Sequence, residues 1–250
     1  MQKTSYLLIV LILITLSFSL LRRNYFFVAV HARTQQDARA ERYEQAKRNF
    51  PTVNYDEPAL PDTQENRLKK EKQKRFNELG NWVFVNSQPY YAEHLSIPEG
   101  LYNFPALPVV KSNLVLIGVV GESRGYLSEN KRNVFTEFTV AVETVFKTSR
   151  LEVKEGSVVT ANRMGGYVKY PNGQTVLYRR SGMYMPKLGG RYLFFLNSLN
   201  KHDHGILTAY ELTESGVIPL DIPAQCLALE GKSETEILQE LRALLRNSSN

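Results

Sequence analysis

Leu114-Val115-Leu116-Ile117-Gly118-Val119-Val120 and, after it, Val134 to Thr148 (VFTEFTVAVETVFKT) decide the fold. The first stretch is a short, continuous run rich in β-branched residues, as expected of a strand buried on both faces. In the second, Thr136, Phe138, Val140, Val142, Thr144 and Phe146 alternate with Glu137, Thr139, Ala141, Glu143, Val145 and Lys147. Successive strand side chains point to opposite faces, so this is a long half-buried strand with one wet face. Further strand-like runs follow at 157–161, 167–170, 174–179, 191–196, 206–212 and 217–218. Pro171-Asn172-Gly173 joins two of them, its Asn-Gly pair supplying the positive φ angles of a tight hairpin. Short strands separated by Gly and Asn turns predict a mainly β protein, a small antiparallel β-barrel over 112–222. Its one very long strand would bend round to serve both sides. The tail, 223–250, predicts an amphipathic C-terminal helix. Ser233 and Glu236 form a capping box, and Ile237, Leu238, Leu241, Leu244 and Leu245 make its apolar face.

Upstream the texture changes three times. Leu7 to Leu21 (LLIVLILITLSFSLL) carries no charge and, as a helix, is roughly 22 Å long, short of a hydrocarbon core of about 30 Å. Residues 1–32 therefore read as a signal peptide or a membrane anchor. Val30-His31-Ala32 suits cleavage, whereas Arg22 and Arg23 beside the second apolar patch Tyr25–Val30 suit an uncleaved anchor. Export to the periplasm or cell surface is the expected address. The charge bias pulls the other way, since Arg22, Arg23 and Arg33 outnumber Lys3 and would hold the domain in the cytoplasm. Residues 33–80 read as a charged helical spacer, and 81–111, with Pro89, Pro98, Pro105 and Pro108 among aromatic residues, as an extended arm over the domain.

Ser112 to Gly118, then Phe138 to Lys147, then Gly189 to Leu196 fall in an order that resembles netrin-like domains of the OB-barrel class, and uncharacterised exported bacterial proteins of the same layout. The likeness covers about 110 residues through strand-shaped apolar motifs. It implies an OB-like barrel and a non-catalytic binding role, and it assigns no functional residue. Tissue-inhibitor members of that class depend on several disulfides. This chain has one cysteine, Cys226, so metalloprotease inhibition does not carry over.

The residue pattern offers no recognisable catalytic set. His202 and His204, in Lys201-His202-Asp203-His204-Gly205, have a metal-like spacing but no third ligand, and a solvated polar turn is the expectation. There is no Gly-x-Ser-x-Gly elbow, and neither Gly165-Gly166 nor Gly189-Gly190 has the context of a phosphate loop. Cys226 has no histidine near it in sequence and reads as a buried, inert thiol. No cofactor and no metal are expected.

One window departs from the rest of the chain. From Ser157 to Tyr192 there is no Asp or Glu in 36 residues. Arg163, Lys169, Arg179, Arg180, Lys187 and Arg191 stand there among Tyr167, Tyr170, Tyr178, Tyr184 and Tyr192. The local charge equals the +6 of the whole protein. Cations beside flat aromatic faces suit phosphates, anionic sugars or lipid headgroups. The expected function is a non-enzymatic, exported or membrane-tethered binding module. In it, Arg163, Lys169, Arg179, Arg180, Lys187 and Arg191, with Tyr167, Tyr170 and Tyr178, contact an anionic partner: a lipid headgroup, an envelope polymer or a protein. The alternatives are a single-stranded nucleic-acid binder on the cytoplasmic side and an enzyme with a metal-assisted site at His202 and His204.

Overall fold

The computed structural model describes residues 37–58, 63–77, 83–88, 91–96, 104–148, 153–200 and 203–248. Residues 1–32, where a signal peptide or membrane anchor is expected, lie outside them, and no helix among the described residues is long and apolar enough to cross a membrane. Residues 37–46 form a helix, α1. The chain up to Gln45 is a unit of its own, distinct from the unit that begins at Ala46.

The second unit is mainly β with a C-terminal helix. β4 (Leu114–Leu127) and β5 (Val134–Thr148) pair antiparallel over most of their length, with register shifts at three places. β5 pairs antiparallel with β6 (Val158–Met164), and β4 with β9 (Arg191–Asn200). β9 also pairs antiparallel with β10 (Asp203–Thr213), which meets β6 in a short parallel contact, His204 opposite Ala161 and Gly205 opposite Asn162. β11 (Gly216–Pro219) borders β10.

The continuous apolar run of β4 is explained by what covers each face. Val115 and Ile117 join Leu193, Phe195 and Tyr210 in a cluster closed by Cys226, Leu229, Ile237 and Leu241. These last four come from α3 (Ala224–Leu227), α4 (Glu234–Ser248) and the turn between them. Leu114 and Leu116, of opposite parity, are fully buried as well, as are Phe138, Val140, Phe194 and Leu196. α4 starts where the sequence says. The Ser233 N–H donates to Glu236 Oε2 (2.8 Å) and the Glu236 N–H to Ser233 Oγ (3.3 Å). Ile237 and Leu241 are wholly buried, each contributing about 1.5–3 kcal/mol.

A second sheet corrects the reading of 33–80 and 81–111. Its strand order is β1 (Thr52–Asn54), β7 (Gly166–Lys169), β8 (Thr175–Arg180), β3 (Tyr91–Ser96) and β2 (Val83–Gln88). The Asn-Gly hairpin is β7–β8, with Gly173 at φ 84°. Each side of that hairpin offers an unpaired backbone edge. β1 adds in parallel to β7, and β3 in parallel to β8. The arm is therefore a β-hairpin in part, and the spacer contributes a strand. Gly165, at φ 125°, and Gly166 lead the chain from one sheet into the other. A Cβ on Gly165 would stand 2.8 Å from Met185 and Phe50, which explains the glycine pair without any phosphate.

α2 (Gln64–Arg75) is no solvated spacer either. Phe76, just past its end, stacks on Phe135 at 4.0 Å and 7°. Lys72 is 8% exposed. It pairs with Glu137 and, at 3.0 Å, with Asp203, which also takes Arg75 and the Asn162 amide. Asp203 and His204 are thus buried at the start of β10 and not in the solvated turn expected there. A carboxylate that accepts from three donors is at home inside.

Candidate functional site

The nine residues of the acid-free window do not converge on one surface. Arg163 is buried, its Nη2 donating to Asp221 Oδ1 (2.5 Å) and its Nη1 to the Tyr184 carbonyl (2.8 Å). Arg191 donates to Glu143 at 2.6 Å and, in a fork, to Glu234 at 2.7 and 3.0 Å. These pairings hold its guanidinium proton more tightly than usual, the Glu234 hydrogen bond being the largest cause. Lys187 pairs with Glu211. The window is acid-free along the chain only. The tertiary fold brings in Glu143, Glu211, Asp221 and Glu234 from outside it.

The tyrosines serve the hairpin. Tyr170 stacks on Tyr55 at 5.0 Å, and its hydroxyl lies 2.6 Å from that of Tyr178. Burial first, and that hydrogen bond second, push the Tyr178 phenol well above its ordinary value. Tyr167 meets Phe50 edge-on. Together these rings fasten β1 to β7. Lys169 is exposed on β7. Arg179 lies over the ring of buried Tyr184, 5.6 Å from its centroid. Arg180 is partly buried, with its Nε fully so.

Among the described residues, one accessible concave surface lies elsewhere, on the wet face of β4, β5 and β6. A groove of about 480 Å³ runs from Leu188 past Gly121 to Glu137, with Thr139 and Thr160 on its floor. β-pairing sets that floor, since Thr139 is opposite Thr160 on one side and Glu122 on the other. A second cleft, of about 290 Å³, opens between α2 and the β4–β5 loop, lined by Lys70, Gln73, Glu129 and Lys131 among others. Arg124 and Tyr126 border both. The Arg124 guanidinium sits 5.3 Å from the Tyr126 ring centroid and 3.0 Å from Glu57. Burial, then Glu137, raises the Tyr126 phenol above its ordinary value, so it stays a neutral donor.

Sequence reasoning missed this groove because its signal is only the wet half of an alternating strand. Thr139 and Glu137 were legible as outward-facing, while the β6 and β4 neighbours that make a floor of them depend on register.

Of the metal reading, His204 is buried with its Nδ1 2.6 Å from Ser198 Oγ, and His202 lies outside the described residues. Among the described residues no group of three or more His, Cys, Asp or Glu is placed to hold a metal. Cys226 is buried, and burial pushes its thiol up, away from the reactive thiolate.

The chain matches no protein-family model, no curated protein and no solved structure.

Proposed function

We propose that the chain is a non-enzymatic binding module on an OB-type barrel, exported or membrane-tethered, that holds a neutral hydroxyl-rich chain such as an envelope oligosaccharide. The observation that carries this is the groove over Thr139 and Thr160. Support for the barrel comes from the pairing order β4–β5–β6–β10–β9, with β9 back on β4 and a parallel contact only between β6 and β10. OB-type barrels take extended ligands, oligosaccharides included, across the face of their second and third strands. In this order those strands are β5 and β6.

The groove's chemistry selects the ligand class. Ser123, Thr139, Thr160 and Tyr126 present hydroxyls, while Glu122 and Glu137 accept hydrogen bonds from a ligand's own hydroxyls. Leu188 offers an apolar end, 58% exposed. Charges nearly cancel on this face, Glu137 being paired with Lys72 and Arg124 standing opposite it across the strand pair, so the hydroxyls set the ligand class.

Gly121→Val tests the reading. A Cβ there meets only the Thr139 carbonyl, at an ordinary 3.7 Å, so the fold tolerates it while the added side chain fills the groove. The melting midpoint is expected to stay within about 2 °C. Affinity for soluble envelope polysaccharide, measured by isothermal calorimetry, should fall by about tenfold or more, some 1.4 kcal/mol. Unchanged affinity would remove the groove from the function. If instead oligonucleotide binds, its affinity must drop steeply between two salt concentrations, and a flat response excludes that alternative. A reporter fused after residue 110 gives the address, and cytoplasmic reporter activity would overturn export.

A further inference from the structure

We propose that the chain held in the groove runs on over the Tyr126 ring and ends in the cleft beside α2, with Arg124 as the bar it displaces. The ligand class is thereby an oligomer longer than the groove itself, an inference that rests on the groove reading above.

Strand parity gives the path its first half. Glu122 pairs with Thr139, Arg124 with Glu137 and Tyr126 with Phe135, so Glu122, Arg124 and Tyr126 share the face that carries the groove floor. Along that face the groove runs from Leu188 to Glu137. There α2 closes it, Lys72 pairing with Glu137 and Phe76 stacking on Phe135. An extended ligand cannot continue straight along β5. A way out lies across β4, since Arg124 and Tyr126 line both the groove and the cleft of about 290 Å³.

At that crossing stands a platform. Tyr126 is half-buried, and its ring stacks with Phe135 at 5.5 Å and 22°, which itself lies against Phe76. A ring held in this way loses little freedom on binding. A tyrosine presents an apolar face beside a polar tip, and the C–H face of a sugar ring packs on such a surface while its hydroxyls stay free to bond. Beyond it, Lys70 and Gln73 of α2 and Glu129 of the β4–β5 loop line the cleft with donors and acceptors. Arg124 stands over the platform, its guanidinium 5.3 Å from the Tyr126 ring centroid and 3.0 Å from Glu57 on the cleft's rim. The two charged side chains are 62% and 41% exposed, so water and salt weaken the pair and little opposes its opening.

The test uses the full chain in detergent and neutral fragments of soluble envelope polysaccharide, sized to about three and about eight sugars, the shorter being of the size a groove of about 480 Å³ takes. By isothermal calorimetry the parent should bind long fragments about tenfold or more tightly than short ones. Lys70→Ala with Gln73→Ala should cut that ratio to about threefold or less, while Gly121→Val weakens both lengths alike. Tyr126→Ala should abolish the preference and Tyr126→Phe keep it, because the ring and not the hydroxyl is the platform. Glu57→Gln releases the bar, and long fragments should then associate about threefold faster in stopped flow. Equal binding of both lengths by the parent overturns the crossing and leaves the groove reading intact. A length preference that survives the cleft substitutions or Tyr126→Ala overturns it too, since the added sugars then lie elsewhere. An unchanged rate in Glu57→Gln removes Arg124 as the bar. Fragments of neither length binding, or binding regardless of Gly121→Val, removes the groove and the crossing with it.

Discussion

Asp221→Ala is expected to destabilise the fold by about 3–5 kcal/mol, read as a lower urea midpoint at unchanged slope. The Arg163 and Asp221 side chains are each 2% exposed, and the substitution leaves the guanidinium without a counter-charge inside. Removing one partner of a buried pair costs more than removing both. The double variant Arg163→Met, Asp221→Leu should therefore recover most of the loss, with a coupling energy above about 1 kcal/mol. Additive losses would mean that the two groups do not depend on each other. The backbone bridge from Met183 to residue 221 survives the substitution, so the turn 181–184 is disturbed only through Arg163, which donates to the Tyr184 carbonyl.

Asp203→Ala should cost about 3 kcal/mol, and its effect should concentrate on α2. That helix presents little apolar surface to the sheet. Leu68 is 62% exposed, and Phe76, against Phe135, is the main apolar anchor. What seats α2 is the Asp203 carboxylate, 4% exposed, under Lys72 and Arg75. Without it, Lys72 keeps Glu137 and Arg75 turns to water. The pair is too buried for salt to screen strongly, so added salt should not mimic the substitution. Hydrogen exchange should show the α2 amides opening faster while those of β4 and β5 stay protected. Uniform acceleration across both would mean that Asp203 supports the whole core and not the helix seat.

The β4 and β5 strands, the Asn-Gly hairpin and the capping box of α4 were all legible because their causes are local. Alternation, a run of β-branched residues, a positive-φ dipeptide and a Ser-x-x-Glu spacing each act within a few residues of themselves. Two further strands escaped that reading for the opposite reason. Thr52–Asn54 and Tyr91–Ser96 are strands because the β7–β8 hairpin leaves two edges open to them. α2 lacks an apolar stripe, the usual mark of a packed helix, because ion pairs hold it down.

The candidate site divides along the same line. An excess of cations over 36 residues is a property of the chain, and it suggested a basic surface. Whether cations make a surface depends on what stands opposite each one. Glu143 faces Arg191 from β5, Glu211 faces Lys187 from β10, and Asp221 faces Arg163 from beyond β11.

From its residues alone this chain is committed to strands at 114–120 and 134–148, to a hairpin at Asn172-Gly173 and to a helix starting after Ser233, since backbone preference and side-chain parity act over short distances, whereas the continuation of β4 to Leu127 comes with its pairing to β5. Folding in three dimensions settled which charges cancel, which strand edges are filled and where a groove stays open. Those outcomes rest on residues 20 to 140 positions apart meeting at hydrogen-bond range, such as Arg163 with Tyr184 and Asn49 with Met185. Electrostatic pairing of that kind depends on separation in space, and separation along the sequence carries no record of it.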